Sequence, residues 1–234
     1  KIVLAMSHAK EANKKDHAYL INTVEGLAIA AGIPKPKVYV IPGMQINAFA
    51  TGRSPKNSSV AVTEGALEKL NRQELEGVIS HELSHIKNYD IRIMVLASVL
   101  VGIIVFVSEI MLRSFLWGGI KSNNNNKGSM NLIFIVIGVV LLILAPIMAQ
   151  LIQLAISRKR EYLADASGAL LTRYPKGLAD ALKKIKNDTS ELRTASNATA
   201  HLYISSPFKK KQWFVGLFAT HPQLEDRIKK LEAM

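Results

Sequence analysis

Cysteine is absent from the 234 residues. This excludes a disulfide framework, a thiolate metal site and a cysteine nucleophile, and it leaves the compartment open. Aromatic residues are scarce, at 6%, and they form no stacking or recognition-helix pattern, so no nucleic-acid partner is expected. Acidic residues are outnumbered, 18 against 30 Lys+Arg, for a formal charge of +12. A basic surface can meet nucleic acid, anionic lipid or an acidic substrate, or can face solvent with no partner. Beside long apolar segments, membrane lipid is the partner that fits it. Steeply salt-dependent DNA binding would be the sign of the nucleic-acid alternative. No internal repeat is present, and the asparagine run at 123–126 is the only low-complexity patch. The opening Lys1–Met6 stretch is too short for the apolar core of a signal peptide. A start without Met leads us to expect a piece of a longer protein.

What the chain does have is apolar sequence, 49% of it, concentrated in two blocks. The first spans about Ile91 to Trp117, with a charge-free stretch over Ile93–Ser108, followed by Glu109 and Arg113. A bilayer core calls for about 20 apolar residues. This block therefore reads either as a span whose Glu109 and Arg113 pair or reach the interface, or as a buried helix of a soluble core. The second block, Leu132–Ser157, carries no charged side chain. Its length exceeds the roughly 30 Å hydrocarbon core, which tilt or a kink at Pro146 would absorb. Residues 118–131 between the blocks read as a polar loop.

The flanking segments have soluble patterning. Glu11–Ala31 reads as a helix stopped by Gly32-Ile33-Pro34. Strands are expected at Lys37–Ile41, Ile46–Thr51 and Ser59–Thr63, the last two joined by the loop Gly52–Asn57. Asn71 and Glu74 have capping-box spacing. The helix they open carries Leu75, Val78, Ile79 and Leu83. After Arg158-Lys159-Arg160 the pattern is helical over Glu161–Leu171, Lys176–Lys186 and from His221-Pro222 to Met234. The expected architecture is mainly α with a small β-sheet: a zincin-like catalytic domain interrupted by a two-helix transmembrane hairpin. Its parts are residues 1–90, with the sheet and the metal-binding helix, the hairpin at 91–157, and the helical half at 158–234.

The chemistry lies in His81-Glu82-Leu83-Ser84-His85. Histidines at i and i+4 share one helix face, so both imidazoles reach one zinc at about 2.0–2.1 Å. Glu82 projects about 100° round the helix and can act as general base on a zinc-activated water. A third ligand is expected at Glu161. Two spans separate it from His85, and an even number of crossings returns the chain to the same side. Standing alone, Glu161 could equally be a solvated residue or pair with Arg158. Asp165, one turn on, either takes a hydrogen bond from a ligand histidine or is a surface charge. The strand containing Asn47, Ala48, Phe49 and Ala50 is either an edge that pairs with an extended peptide or a core strand. His221 precedes Pro222 and can start the last helix, in a capping or packing role.

Taken in order, Asn47–Gly52, Val60–Thr63, His81–His85, Arg160–Asp165 and Thr220-His221-Pro222 with Arg227-Ile228 resemble the HtpX family of membrane zinc proteases, relatives of the CAAX prenyl endoproteases. The resemblance implies a gluzincin-type fold with zinc held by His81, His85 and Glu161, and, as in related proteases, a catalytic place for His221 near the metal as an oxyanion stabiliser. It also implies protein or peptide substrates, a stress-response role in membrane-protein quality control, and a multi-pass protein of the cell inner membrane whose site faces the cytoplasm. The family begins with two further apolar spans ahead of the region of Lys1. An inactive structural protein that keeps the metal helix is the competing class, and an intact Glu82 argues against it.

Overall fold

A computed structural model of the chain describes residues 2–117, 128–192, 202–205 and 222–234. Twelve elements follow in order among these residues: α1 (Ile2–Met6), β1 (Lys10–Glu11), α2 (Lys14–Ala31), β2 (Lys37–Ile41), β3 (Ala48–Ser54), β4 (Asn57–Thr63), α3 (Glu64–Lys69), α4 (Arg72–Lys87), α5 (Asp90–Trp117), α6 (Gly128–Thr172), α7 (Pro175–Asn187) and α8 (Leu224–Glu232). The mainly α class with a small sheet is as expected. The chain divides into two compact units, one built from Lys1–Arg92 with Ser157–Met234 and one from Ile93–Ile156.

In the first unit the sheet has the order β1-β2-β4-β3. β2 and β4 run parallel, while β1 and β3 are antiparallel to their neighbours. Val38, Val40, Val60 and Val62 are buried, as are Leu75, Val78, Ile79 and Leu83 of α4. The Asn71 capping box forms: its side chain accepts from Glu74 N at 3.0 Å and its own N–H donates to Glu74 at 2.7 Å. Such a cap contributes about 1 kcal/mol. Glu74 also receives Lys184 of α7 at 2.7 Å, which ties the start of α4 to its neighbour.

Two glycines let helices close on α4. A Cβ at Gly77 would sit 2.6 Å from the backbone N of Leu178 on α7. One at Gly168 of α6 would sit 3.0 Å from the backbone N of His81. The second contact brings the C-terminal end of α6 against α4 at His81.

Several boundaries differ from the sequence reading. The β3–β4 hairpin is tighter than the expected six-residue loop. Its strands run to Ser54 and from Asn57, with a register shift near Gly52, whose φ is 143°. α2 starts at Lys14 because Asn13 caps it, accepting from Asp16 N at 2.8 Å; the preceding Lys10–Glu11 pairs with β2 instead. The second apolar block and the helix at Glu161 are one continuous helix of 45 residues, with Pro146 inside it.

The second unit holds the apolar parts of α5 and α6. Both helices are long and apolar enough to cross a membrane, and only 6% of either apolar window is buried. Val95, Leu96, Val99, Ile103 and Phe106 are exposed. That exposure is not the packing of a soluble core helix, and with the composition it marks a membrane protein. Gln153 donates to Ser98 at 2.8 Å between the two helices, a polar link suited to an apolar surround.

Candidate metal centre

α4 presents His81 and His85 one turn apart, and the start of the soluble part of α6 presents Glu161. Their ligand-type atoms all lie within 4.8 Å of one another. The two Nε2 atoms are 3.1 Å apart. Glu161 places one oxygen 3.4 Å from His85 Nε2 and the other 3.8 Å from His81 Nε2. Donors about 2.0–2.1 Å from one tetrahedral zinc are separated by about 3.4 Å. The spacing and the two-imidazole, one-carboxylate donor set therefore fit a zinc ion, with one position left for a reactant.

The outer nitrogens of both rings are occupied, which leaves the two inner nitrogens facing each other as free donors. His81 Nδ1 lies 3.0 Å from Asp165 Oδ1, and His85 Nδ1 lies 2.7 Å from Asp90 Oδ2. A carboxylate there accepts a hydrogen bond from Nδ1–H, which keeps the proton on Nδ1 and leaves the Nε2 lone pair free. Arg227 of α8, fully buried, donates from Nε and NH2 to the two Asp165 oxygens at 2.8 and 2.7 Å, and NH1 lies 3.2 Å from Glu161. NH1 also donates to Ile204 O at 3.3 Å.

Burial pushes the His81 pKa down to about 4, and the Arg227 charge adds to this against the pull of Asp165. The ring is therefore neutral, as a ligand must be. For His85, burial acts downward but is outweighed by Glu161 and Glu82, so its pKa is raised. Glu82 is 2% exposed, and burial raises its pKa to about 7, with His85 opposing and Glu161 assisting. Its carboxylate accepts the backbone N–H of Ala50 on β3, which orients it toward the cluster from the strand side.

Asp165 is 3% exposed and lies against His81 rather than at the surface. Asn47, Ala48, Phe49 and Ala50 are all buried. Asn47 Nδ2 donates to Gln45 and to Ser205 O, and Ile204 N donates to Ala48 O at 2.9 Å. Phe49 forms a bridge to Tyr203 and an edge-on ring contact at 5.0 Å. Segment 202–205 thus covers the β3 edge at Ala48 and Phe49. His221 lies outside the described residues, and so does most of the loop expected at 118–131.

Sequence reasoning missed Asp90, Arg160 and any role for Arg227. Arg227 had a signal, its place in the matched Arg227-Ile228 pair. Asp90 had none, since a carboxylate five residues after a histidine is on the wrong face of an unbroken helix.

The profile of peptidase family M48 matches residues 14–234. The chain belongs to peptidase family M48. It is a metalloendopeptidase of that family. A protease HtpX homolog from Caldanaerobacter subterraneus is 49% identical over 235 residues, covering all of this chain and 78% of the relative. One from Listeria monocytogenes is 49% identical over 241 residues, covering all of this chain and 79% of the relative. The crystal structure of S. mikatae Ste24p superposes with a TM-score of 0.63 at 24% identity, over 99% of this chain and 56% of that one, which shows a shared fold.

Proposed function

We propose that this M48 peptidase is a zinc-dependent integral-membrane endopeptidase in which His81, His85 and Glu161 hold the metal and Glu82 is the general base. The convergence of both Nε2 atoms and the Glu161 carboxylate within 4.8 Å, beside the buried Glu82, supports this most directly. Zinc, when bound, supplies Lewis acidity that lowers a water's pKa toward about 7. Glu82, as general base, would take a proton from the attacking water and pass it to the leaving amine. Arg227 and Asp165 hold His81 and Glu161 in place without touching substrate.

An extended peptide would pair with the β3 edge beyond Ala50, whose own N–H is held by Glu82, where segment 202–205 does not reach. A cavity of about 10 Å³ lined by Gly52, Ser54, His85, Ile86, Tyr89 and Arg92 lies along this stretch. By its resemblance to the HtpX family, we extend the reading to misfolded or membrane proteins as substrates, to membrane-protein quality control, and to a site facing the cytoplasm from the inner membrane. His221 remains a candidate for oxyanion stabilisation.

The test compares two variants. Glu82→Gln should lose about 10²–10⁴-fold or more in proteolysis of an unfolded substrate while keeping stoichiometric zinc by elemental analysis. Glu161→Ala should lose both zinc and activity. Full activity in Glu82→Gln, or unchanged zinc affinity in Glu161→Ala, would overturn the assignment.

A further inference from the structure

His85 is gripped on its outer side by a residue from the next helix. Asp90 Oδ2 lies 2.7 Å from His85 Nδ1, and the Asp90 side chain is 5% exposed. Its other oxygen pairs with Arg160 NH2. The same guanidinium nitrogen donates to Asn88 O at 2.9 Å, and Asn88 is the C-cap of α4. Arg160 therefore fastens the end of α4 and the start of α5 at one point, and it is the residue directly before Glu161.

The turn between the helices makes this contact possible. In an unbroken helix, residue 90 would lie about 140° round from residue 85. The chain breaks instead at Tyr89, whose φ is 56°. A left-handed conformation is disfavoured for a non-glycine residue, and it persists where the surroundings over-determine it. Here it swings Asp90 back onto His85.

We propose that Asp90 is a positioning residue for His85 and that Arg160 is its counter-ion, the pair acting as a clasp that sets the geometry of the metal centre. The inference rests on the metal-centre reading above. Asp90 fixes the His85 tautomer and ring plane and leaves Nε2 bare; Arg160 stops the carboxylate from rotating away. The centre thus has two parallel supports, Asp165 with Arg227 for His81, and Asp90 with Arg160 for His85. The second is tied to chain order. Asp90 precedes Ile93, where the apolar unit begins, and Arg160 follows Ile156, where it ends. The clasp joins the points at which the chain leaves for the apolar hairpin and returns from it, so metal affinity depends on both ends being fastened.

The experiment measures zinc affinity by chelator competition on the full chain in detergent, with the thermal midpoint of the zinc-free protein as a control for folding. Asp90→Asn should weaken zinc binding about 10–100-fold. Arg160→Ala should weaken it less, and Arg160→Lys should restore most of that loss. In the double variant, Arg160→Ala should add less to Asp90→Asn than it costs alone, because the two share one contact and only the bond to Asn88 O is left to lose. The Arg160 pair is read independently, so the inference stays open to refutation if Asp90→Asn fails to fold. Unchanged affinity in Asp90→Asn, equal affinities in Arg160→Ala and Arg160→Lys, or simple additivity in the double variant would overturn the clasp while the three-ligand site stands. Absence of zinc from the unsubstituted chain would overturn the metal-centre reading itself.

Discussion

At Arg227 a fully buried guanidinium faces two carboxylates, Asp165 and Glu161. Burial opposes its charge, but the two acids outweigh burial and raise its pKa above the ordinary value. Removing one partner of such a group leaves the other charges buried and uncompensated, at a cost of about 3–5 kcal/mol. Arg227→Met should therefore lower the unfolding free energy of the zinc-free protein by about that amount in denaturant titration. A loss under about 1 kcal/mol would mean that solvent reaches the acids. Asp188 gives a pH-dependent counterpart. It accepts Ile46 N at 2.6 Å and Ser190 N at 3.1 Å and pairs with Lys69 at 3.1 Å, fixing the chain just ahead of β3. Partial burial would raise its pKa, but the Ile46 and Ser190 donors and Lys69 bring it from 3.8 to about 2. Since the folded value is the lower one, the stabilisation is complete above the unfolded pKa and fades as pH falls through the folded one. Asp188→Asn should lose about 2 kcal/mol at neutral pH, and the gap from the unsubstituted chain should close between about pH 4 and pH 2.

At the scale of elements, α4 was readable because local signals agree. Asn71 and Glu74 have capping-box spacing, Leu75, Val78, Ile79 and Leu83 keep a helical period, and the histidines fall one turn apart. The close packing of its other side was not readable. Gly77 looks like a weak point in a helix, yet α7 lies against it, with a Cβ position 2.6 Å from Leu178 N. Gly77→Ala would gain about 1 kcal/mol of helix propensity and lose about 1–3 kcal/mol to the clash. We expect a lower thermal midpoint for this variant, and a raised one would show that α7 moves aside freely. The merging of the second apolar block with the helix at Glu161 was hidden for a similar reason. Arg158-Lys159-Arg160 marks a change of surroundings, from apolar to polar, but nothing in those residues breaks a helix.

For the whole molecule, the charge pattern predicts topology. Lys87, Arg92, Arg158, Lys159 and Arg160 flank the outer ends of the two apolar segments, while only Lys121 and Lys127 lie in the connection. By the positive-inside bias, we expect the candidate metal centre on the cytoplasmic side. The chain has no cysteine, so single cysteines at Ser122 and Ser190 can be labelled without background. An impermeant thiol reagent should reach them from opposite sides of the membrane. Labelling from the same side would remove the two-span arrangement.

The sequence by itself determined the helix that carries His81 and His85, the two apolar helices and the general class of the fold, because each depends on spacing or composition within a short window. Tertiary structure decided what those windows could not contain. It brought Glu161 to His81 and His85 across 76 residues of chain (161 − 85), and it set Asp165 and Arg227 behind His81. It also turned Asp90 back onto His85 through the left-handed Tyr89 and covered half of the expected peptide-binding edge with segment 202–205. These contacts depend on directions in space that arise only when helices pack. A helix period specifies which face a residue occupies, but the neighbouring element determines what that face meets.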